Sequence, residues 1–285
     1  MKMIELHENG LDIQFRIREN GVVELADFSS QEVKKAVMEP KEDICYPAVE
    51  IHRSGTGSLN MHAYKNNINQ SSVDFVYENH ELKAQAGGKE LEIVMISPEK
   101  LKAVYHMRLF DGVPAVQTWT EIINEGSENQ GLTYVSSFMY QGISRGGEKP
   151  YYKKTDIYVP FNSWCCEAQW QKYDAETLNL NGMVVDGFNH QGYGLNRYCY
   201  SGKGTWSTCE YLPMGIAEDR ETGETYIFQI ESSGQWLAEY GSAQGGNLYL
   251  ALSGATEQEH GWYKNLKPGE SFTTVPAGAV VVKGG

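Results

Sequence analysis

The sequence has little cysteine, no long apolar run and a shortage of positive charge, and each deficit removes a class of function. Five cysteines in 285 residues form an odd set without C-x-x-C spacing, so neither a disulfide framework nor a structural zinc site is expected. No stretch approaches the ~18 apolar residues of a membrane-spanning helix, and the first residues lack the apolar core of a secretory signal. Lys and Arg number 24 against 37 Asp and Glu, a formal charge of −13 spread along the chain, which disfavours nucleic acid or an anionic membrane as partner. The expectation is a soluble, cytoplasmic protein. No P-loop, dinucleotide fingerprint or H-E-x-x-H is found. The seven histidines are dispersed, so no metal or cofactor is expected, and any metal site would have to be assembled by the fold.

What is present is period-two alternation. It recurs in Ile13-Gln14-Phe15-Arg16-Ile17, in Leu91-Glu92-Ile93 and in Thr225 to Glu231, where Tyr226, Phe228 and Ile230 share a face. Turn clusters at Glu19-Asn20-Gly21, Asn124 to Ser127, Glu221 to Glu224, Ser232-Ser233-Gly234 and Gln244 to Asn247 fall at spacings suited to consecutive antiparallel hairpins. Helical periodicity is confined to two short candidates, Ser30 to Val37 and Asp174 to Leu180. With no repeat and no low-complexity linker, the chain is expected to be a single all-β domain over residues 1–285, a large antiparallel β-sandwich with few short helices. Ala279 to Val282 reads as a buried strand just before the end, which suggests a domain from a longer polypeptide.

Tyrosine (18) and tryptophan (6) outnumber phenylalanine (9), which favours rings with a polar edge, suited to sugars and to sheet surfaces alike. Glycoside hydrolysis needs two facing carboxyls, and Glu50, Glu121, Glu167, Glu210, Glu218, Asp219, Glu231 and Glu239 stand in aromatic surroundings, although strand and turn carboxylates are usually just solvated. Glu218-Asp219 reads as an exposed turn, and Glu121 shares a strand face with Trp119. Trp164 and Trp170, six apart, would lie on one face of an extended segment, as a sugar platform or as a buried or interdomain contact. Trp206, Thr208 and Glu210 would line one face of a second extended run. Cys165-Cys166 has no base beside it and no nucleophilic role. Ser54 to Lys65 is a glycine-opened polar loop able to project beyond a sheet edge.

These segments resemble the amino-terminal domain of glycoside hydrolase family 36, the bacterial α-galactosidases and their α-N-acetylgalactosaminidase relatives. The resemblance is carried by Asn162-Ser163-Trp164-Cys165 with Gln169-Trp170 and by Trp206 to Gly215. It continues through Leu248 to Gly254 with Glu257 and His260-Gly261-Trp262, and closes with Leu266-Lys267-Pro268-Gly269-Glu270 to Pro276. It implies a supersandwich placed before a (β/α)8 barrel that carries both catalytic aspartates, so that this chain alone has no catalytic residue and is inactive. It implies further a retaining enzyme acting on α-galactoside oligosaccharides, contacts with its own barrel, and homo-oligomers in which a sandwich loop reaches a neighbour's active site. The Gly-Asp-Phe-Arg pattern of that loop in many members is replaced here by Gly57-Ser58-Leu59-Asn60-Met61-His62, closer to a second subgroup, which aligns Asn60 and His62 as substrate-side contacts ahead of Lys65.

Two other functions fit the residues. One is a stand-alone carbohydrate-binding module whose Trp and Tyr rings stack on sugars. The other is a mutarotase-like sandwich enzyme, which needs a His and Glu pair drawn from His106 or His190 with Glu121 or Glu239.

Overall fold

The computed structural model describes residues 1–42, 44–57, 65–180, 196–243 and 246–284. The strands among them are β1 (Lys2–Glu8), β2 (Leu11–Ile17), β3 (Val23–Ser30), β4 (Ile51–Arg53), β5 (Val76–Gln85), β6 (Gly88–Ile96), β7 (Leu101–Phe110), β8 (Val113–Asn124) and β9 (Gln130–Ile143). They continue as β10 (Thr155–Ser163), β11 (Cys166–Asp174), β12 (Arg197–Gly202), β13 (Met214–Asp219), β14 (Glu224–Ile230), β15 (Trp236–Ala243), β16 (Asn247–Ser253), β17 (Lys264–Leu266), β18 (Ser271–Thr273) and β19 (Ala277–Lys283). The helices are single turns, α1 (Gln70–Val73) and α2 (Glu257–His260), capped by Asn69 and Thr256 respectively.

A ten-stranded sheet runs β11-β10-β13-β14-β19-β8-β7-β6-β5, with β18 also on β8; a six-stranded sheet runs β12-β15-β16-β9-β17, with β4 also on β9; β1-β2-β3 form a third. The named strand pairings are antiparallel, the geometry that lets one face of a sheet pack while the other meets water. The expected all-β sandwich is the observed one. Tyr226, Phe228 and Ile230 do share a buried face, as do Ile13, Phe15 and Ile17, and Leu91 with Ile93. These side chains, with Leu250 and Leu252 of the six-stranded sheet, belong to one continuous apolar core.

The six-stranded sheet is covered on its second face too. There Tyr249, Ala251 and Met139 pack with Met38, Tyr46 and Ile68 in a separate cluster. Strand β15 is therefore buried along its full length, Glu239 included.

Three sequence expectations are corrected. Ser30 to Val37 and Asp174 to Leu180 are not helices: β3 runs through Ser30 into a turn, and Asp174 accepts the Thr177 amide to form a turn of its own. Among the turn clusters, Asn124 to Ser127 and Ser232 to Gly234 do not close hairpins but carry the chain from the ten-stranded to the six-stranded sheet, which local turn chemistry cannot distinguish. Asp219 is not in a solvated turn; it ends β13 fully buried, 2.9 Å from the ammonium of the equally buried Lys154.

Candidate functional site

The two ends of the ten-stranded sheet carry the most distinctive side chains. At one end β10 and β11 form a hairpin whose two-residue turn is Trp164-Cys165, with Cys165 in the left-handed region. Residues Cys166 to Lys172 of β11 are exposed on both faces, while β10 is buried at its start, so the tip and outer strand of the hairpin form an arm beyond the core. Trp164 and Trp170 therefore do not share one face. Trp164 sits in the turn, Trp170 lies opposite Pro160, and the ring that Trp164 meets is Trp206, with centroids 6.3 Å apart and planes 15° from parallel. Trp164 and Trp206 are 80% and 61% exposed, a stacked aromatic pair in water.

Asn162 makes that pair possible. Its amide nitrogen donates to the Glu210 carbonyl (2.8 Å), its side-chain Nδ2 donates to the Thr208 carbonyl (2.5 Å), and its Oδ1 accepts from the Ala168 amide (3.0 Å). One asparagine thus clamps the hairpin tip onto residues 204–211, which form turns and bends and not the extended run expected of Trp206, Thr208 and Glu210. The second segment is tied to the core by Trp236, fully buried, whose Nε1 donates to the Ser207 carbonyl at 2.6 Å. Gly202 fits against that indole because a Cβ there would lie 2.2 Å from Nε1. Beside the pair, Phe161, Asn162, Cys166, Gln169, Glu210 and Tyr211 line an open groove of ≈ 480 Å³.

Toward the other end, His106 of β7 lies parallel to Trp119 of β8, centroids 4.8 Å apart and planes 8° apart. Its carboxylate neighbours are Glu90 at 2.9 Å and Glu92 at 3.9 Å, neither singled out in the sequence. Of the pairs expected of a mutarotase-like enzyme, those with His106 are not formed: Glu121 lies opposite Val104 and Glu239 is buried in the six-stranded sheet; His190 lies outside the described residues.

Two other candidate carboxylates are structural anchors. Glu239 accepts from the Asn66 amide (2.8 Å), Asn66 Nδ2 (2.9 Å), Arg197 Nη1 (2.6 Å) and the Tyr249 hydroxyl (2.5 Å). Burial, with Glu239 alongside, holds the Tyr249 hydroxyl pKa well above its ordinary value. Glu50 accepts from the Ile68 amide (2.5 Å), the Asn69 amide (3.2 Å) and Ser72 Oγ (2.6 Å). Together they fix residues 66–72, including Ile68 in the left-handed region, a strained conformation for a β-branched residue. This is the root of the Ser54 to Lys65 loop. Lys65 donates to the Ser242 carbonyl (2.5 Å), and burial lowers its pKa to about 8 despite the opposing pull of Glu239. Asn60 and His62 themselves lie outside the described residues. Glu167 and Glu210 are exposed, and Glu231 accepts from Gln117.

No family model matches the sequence, and no curated protein matches it. Solved structures do. The family 36 α-galactosidase AgaA from Geobacillus stearothermophilus superposes with a TM-score of 0.72 at 14% identity, over 100% of this chain and 41% of that enzyme. The chain has the family 36 sandwich fold. AgaB from the same organism gives the same TM-score and identity over 100% of this chain and 40% of its own. The chain spans about two fifths of the length of the enzymes it matches. A galactose mutarotase-like protein from Clostridium acetobutylicum is more distant, with a TM-score of 0.53 at 12% identity, over 99% of this chain and 95% of that one. The aromatic tip stands at the β11 edge of the ten-stranded sheet and the His106 cluster toward its β5 side; strand pairing and the Asn162 clamp assemble them, and neither pairing is announced by local spacing in the sequence.

Proposed function

We propose that this chain is the non-catalytic amino-terminal β-sandwich domain of a retaining α-galactosidase that hydrolyses terminal α-linked galactosyl residues. The observation that carries this reading is coverage: the whole chain corresponds to 41% of AgaA, leaving three fifths of such an enzyme to supply the catalytic barrel. Both catalytic aspartates belong to that barrel, so the 285 residues contribute none. The sandwich packs on the barrel, takes part in subunit contacts and shapes the pocket beyond the galactosyl subsite. The exposed hairpin arm with its Trp164–Trp206 pair is suited to the packing role, because rings of that size left in water favour a partner surface. The loop rooted by Glu50 and Glu239 is suited to shaping the pocket, with Asn60 and His62 as substrate-side contacts. AgaA variants have been solved in complex with raffinose and with stachyose, and α-galactoside oligosaccharides are the substrate class proposed here.

The test is hydrolysis of an aryl α-galactoside and of its N-acetylgalactosaminide analogue by the 285-residue chain and by the chain extended with its downstream sequence. Turnover only by the longer polypeptide is expected, with the faster substrate identifying the subgroup. Replacing residues 54–65 in the longer polypeptide should lower turnover of raffinose more than of the aryl galactoside, because specificity arises from differential contacts. Equal losses would contradict the loop's role.

A stand-alone carbohydrate-binding sandwich is the second reading, favoured by the near-complete mutual coverage with the mutarotase-like protein, which is itself about the size of this chain. It requires saturable galactose or oligosaccharide binding by the 285 residues that is lost in Trp164→Ala.

A further inference from the structure

We propose that Glu90, Glu92 and His106 form a binding site for a divalent transition-metal cation, with Zn2+ the best-matched ion, on the outward face of the ten-stranded sheet. The site comes from register. Glu92 of β6 stands directly opposite His106 of β7, and Glu90 lies two residues along β6 on the same face. His106 Nδ1 is 2.9 Å from Glu90 Oε1 and 3.9 Å from Glu92 Oε1, and one donor atom from each residue falls within 4.8 Å of the other two. Tetrahedral zinc, with bonds near 2.0–2.2 Å, spaces its donors roughly 3.3–3.6 Å apart, so only small side-chain shifts separate the cluster from a bound ion.

The carboxylates are already oriented for that task. Gln85 donates to Glu90 Oε2 at 2.6 Å and Lys83 donates to Glu92 Oε2 at 2.5 Å, both from β5. Their outer oxygens are thereby held, and the inner oxygen of each is turned toward the imidazole. This is the outer layer of hydrogen bonds that ligating carboxylates use. The ring itself is held flat against Trp119.

Charge points to a cation. Glu90 is 7% exposed, yet among the described residues no Lys or Arg reaches it, and its ionic partner is His106 alone. The buried carboxylates of Glu24, Glu224 and Glu239 each meet an ammonium or guanidinium, and Glu50 is satisfied by two amides and a hydroxyl. A buried carboxylate met only by an imidazole and a side-chain amide is costly to keep charged, and a divalent ion supplies the positive charge that they do not. One imidazole nitrogen and two carboxylate oxygens suit Zn2+, Co2+ or Mn2+ better than Ca2+, which takes six to eight oxygens. Water completes the coordination on the open side. The bound ion would pin β6 to β7 beside the exposed edge strand β5.

The test is calorimetric titration of the chelator-treated, untagged chain with ZnCl2 at neutral pH, together with Co2+ as a spectroscopic probe. One Zn2+ per chain is expected, with affinity falling at least about tenfold in Glu92→Gln and in His106→Gln. Each variant is checked for an unfolding transition in chelator matching the parent's. Independently of any ligand variant, Co2+ should broaden the NMR signal of the Trp119 indole, assigned with Trp119→Phe. Absence of saturable binding, an affinity in both ligand variants equal to the parent chain's, or an unbroadened Trp119 signal at saturating Co2+ would each overturn the proposal.

Discussion

The two edge strands of the ten-stranded sheet, β5 and β11, occupy equivalent positions and are built differently. Both are exposed over most of their length. Strand β5 carries Glu78, Glu81 and Lys83, the charged side chains that keep a bare sheet edge from pairing with another chain. Strand β11 instead leads from an aromatic tip, where Trp164 and Trp206 stack in solvent and Trp170 follows on the arm. One edge is protected by its own residues. The other presents rings that stand exposed among the described residues, and that difference separates an edge guarded by charge from one that leaves aromatic surface open.

The comparison breaks most sharply through the residue that ties the aromatic end to the core. Trp236→Ala should cost about 3–5 kcal/mol in denaturant unfolding and release the segment at Ser207, because it empties a fully buried site and removes a hydrogen bond. Asn162→Ala should cost about 1–2 kcal/mol from lost hydrogen bonds and abolish the near-ultraviolet circular dichroism of the Trp164–Trp206 stack. Trp164→Ala should change the stability of the 285-residue chain by no more than about 0.5 kcal/mol, as should Leu82→Lys at the opposite edge; a large loss for Trp164 alone would place it in the chain's own core. The smallest effect lies in β5. Burial, reinforced by Lys2, lowers the His80 pKa below its ordinary 6.5, so the folded chain binds fewer protons there than the unfolded one. Its contribution is complete above pH 6.5 and is lost as pH falls through 6.5 toward the folded value; His80→Asn should flatten that limb of the stability profile.

Sequence alternation found the sandwich because burial of one strand face is written locally: Tyr226, Phe228 and Ile230 needed no partner to be read. Partnership was not legible. Trp164 meets Trp206, and His106 meets Glu90, through strand pairings and a clamp by Asn162 that no spacing announces. Glu239, Glu50 and Asp219 looked like surface carboxylates because their composition does not reveal the second layer that buries them. The helices were misplaced for a related reason. Residues able to cap also make turns, and Asp174 caps a turn while the actual single-turn helices begin after Asn69 and Thr256.

The proposed contact between the aromatic tip and the rest of an enzyme predicts that Trp164 and Trp206 are covered in a longer polypeptide. Hydroxyl-radical footprinting read by mass spectrometry, on the 285-residue chain and on the chain extended by its downstream sequence, tests it. Trp164 and Trp206 should be heavily oxidised in the first and protected in the second, with Trp236 protected in both. Equal oxidation of Trp164 and Trp206 in the two polypeptides would contradict the account.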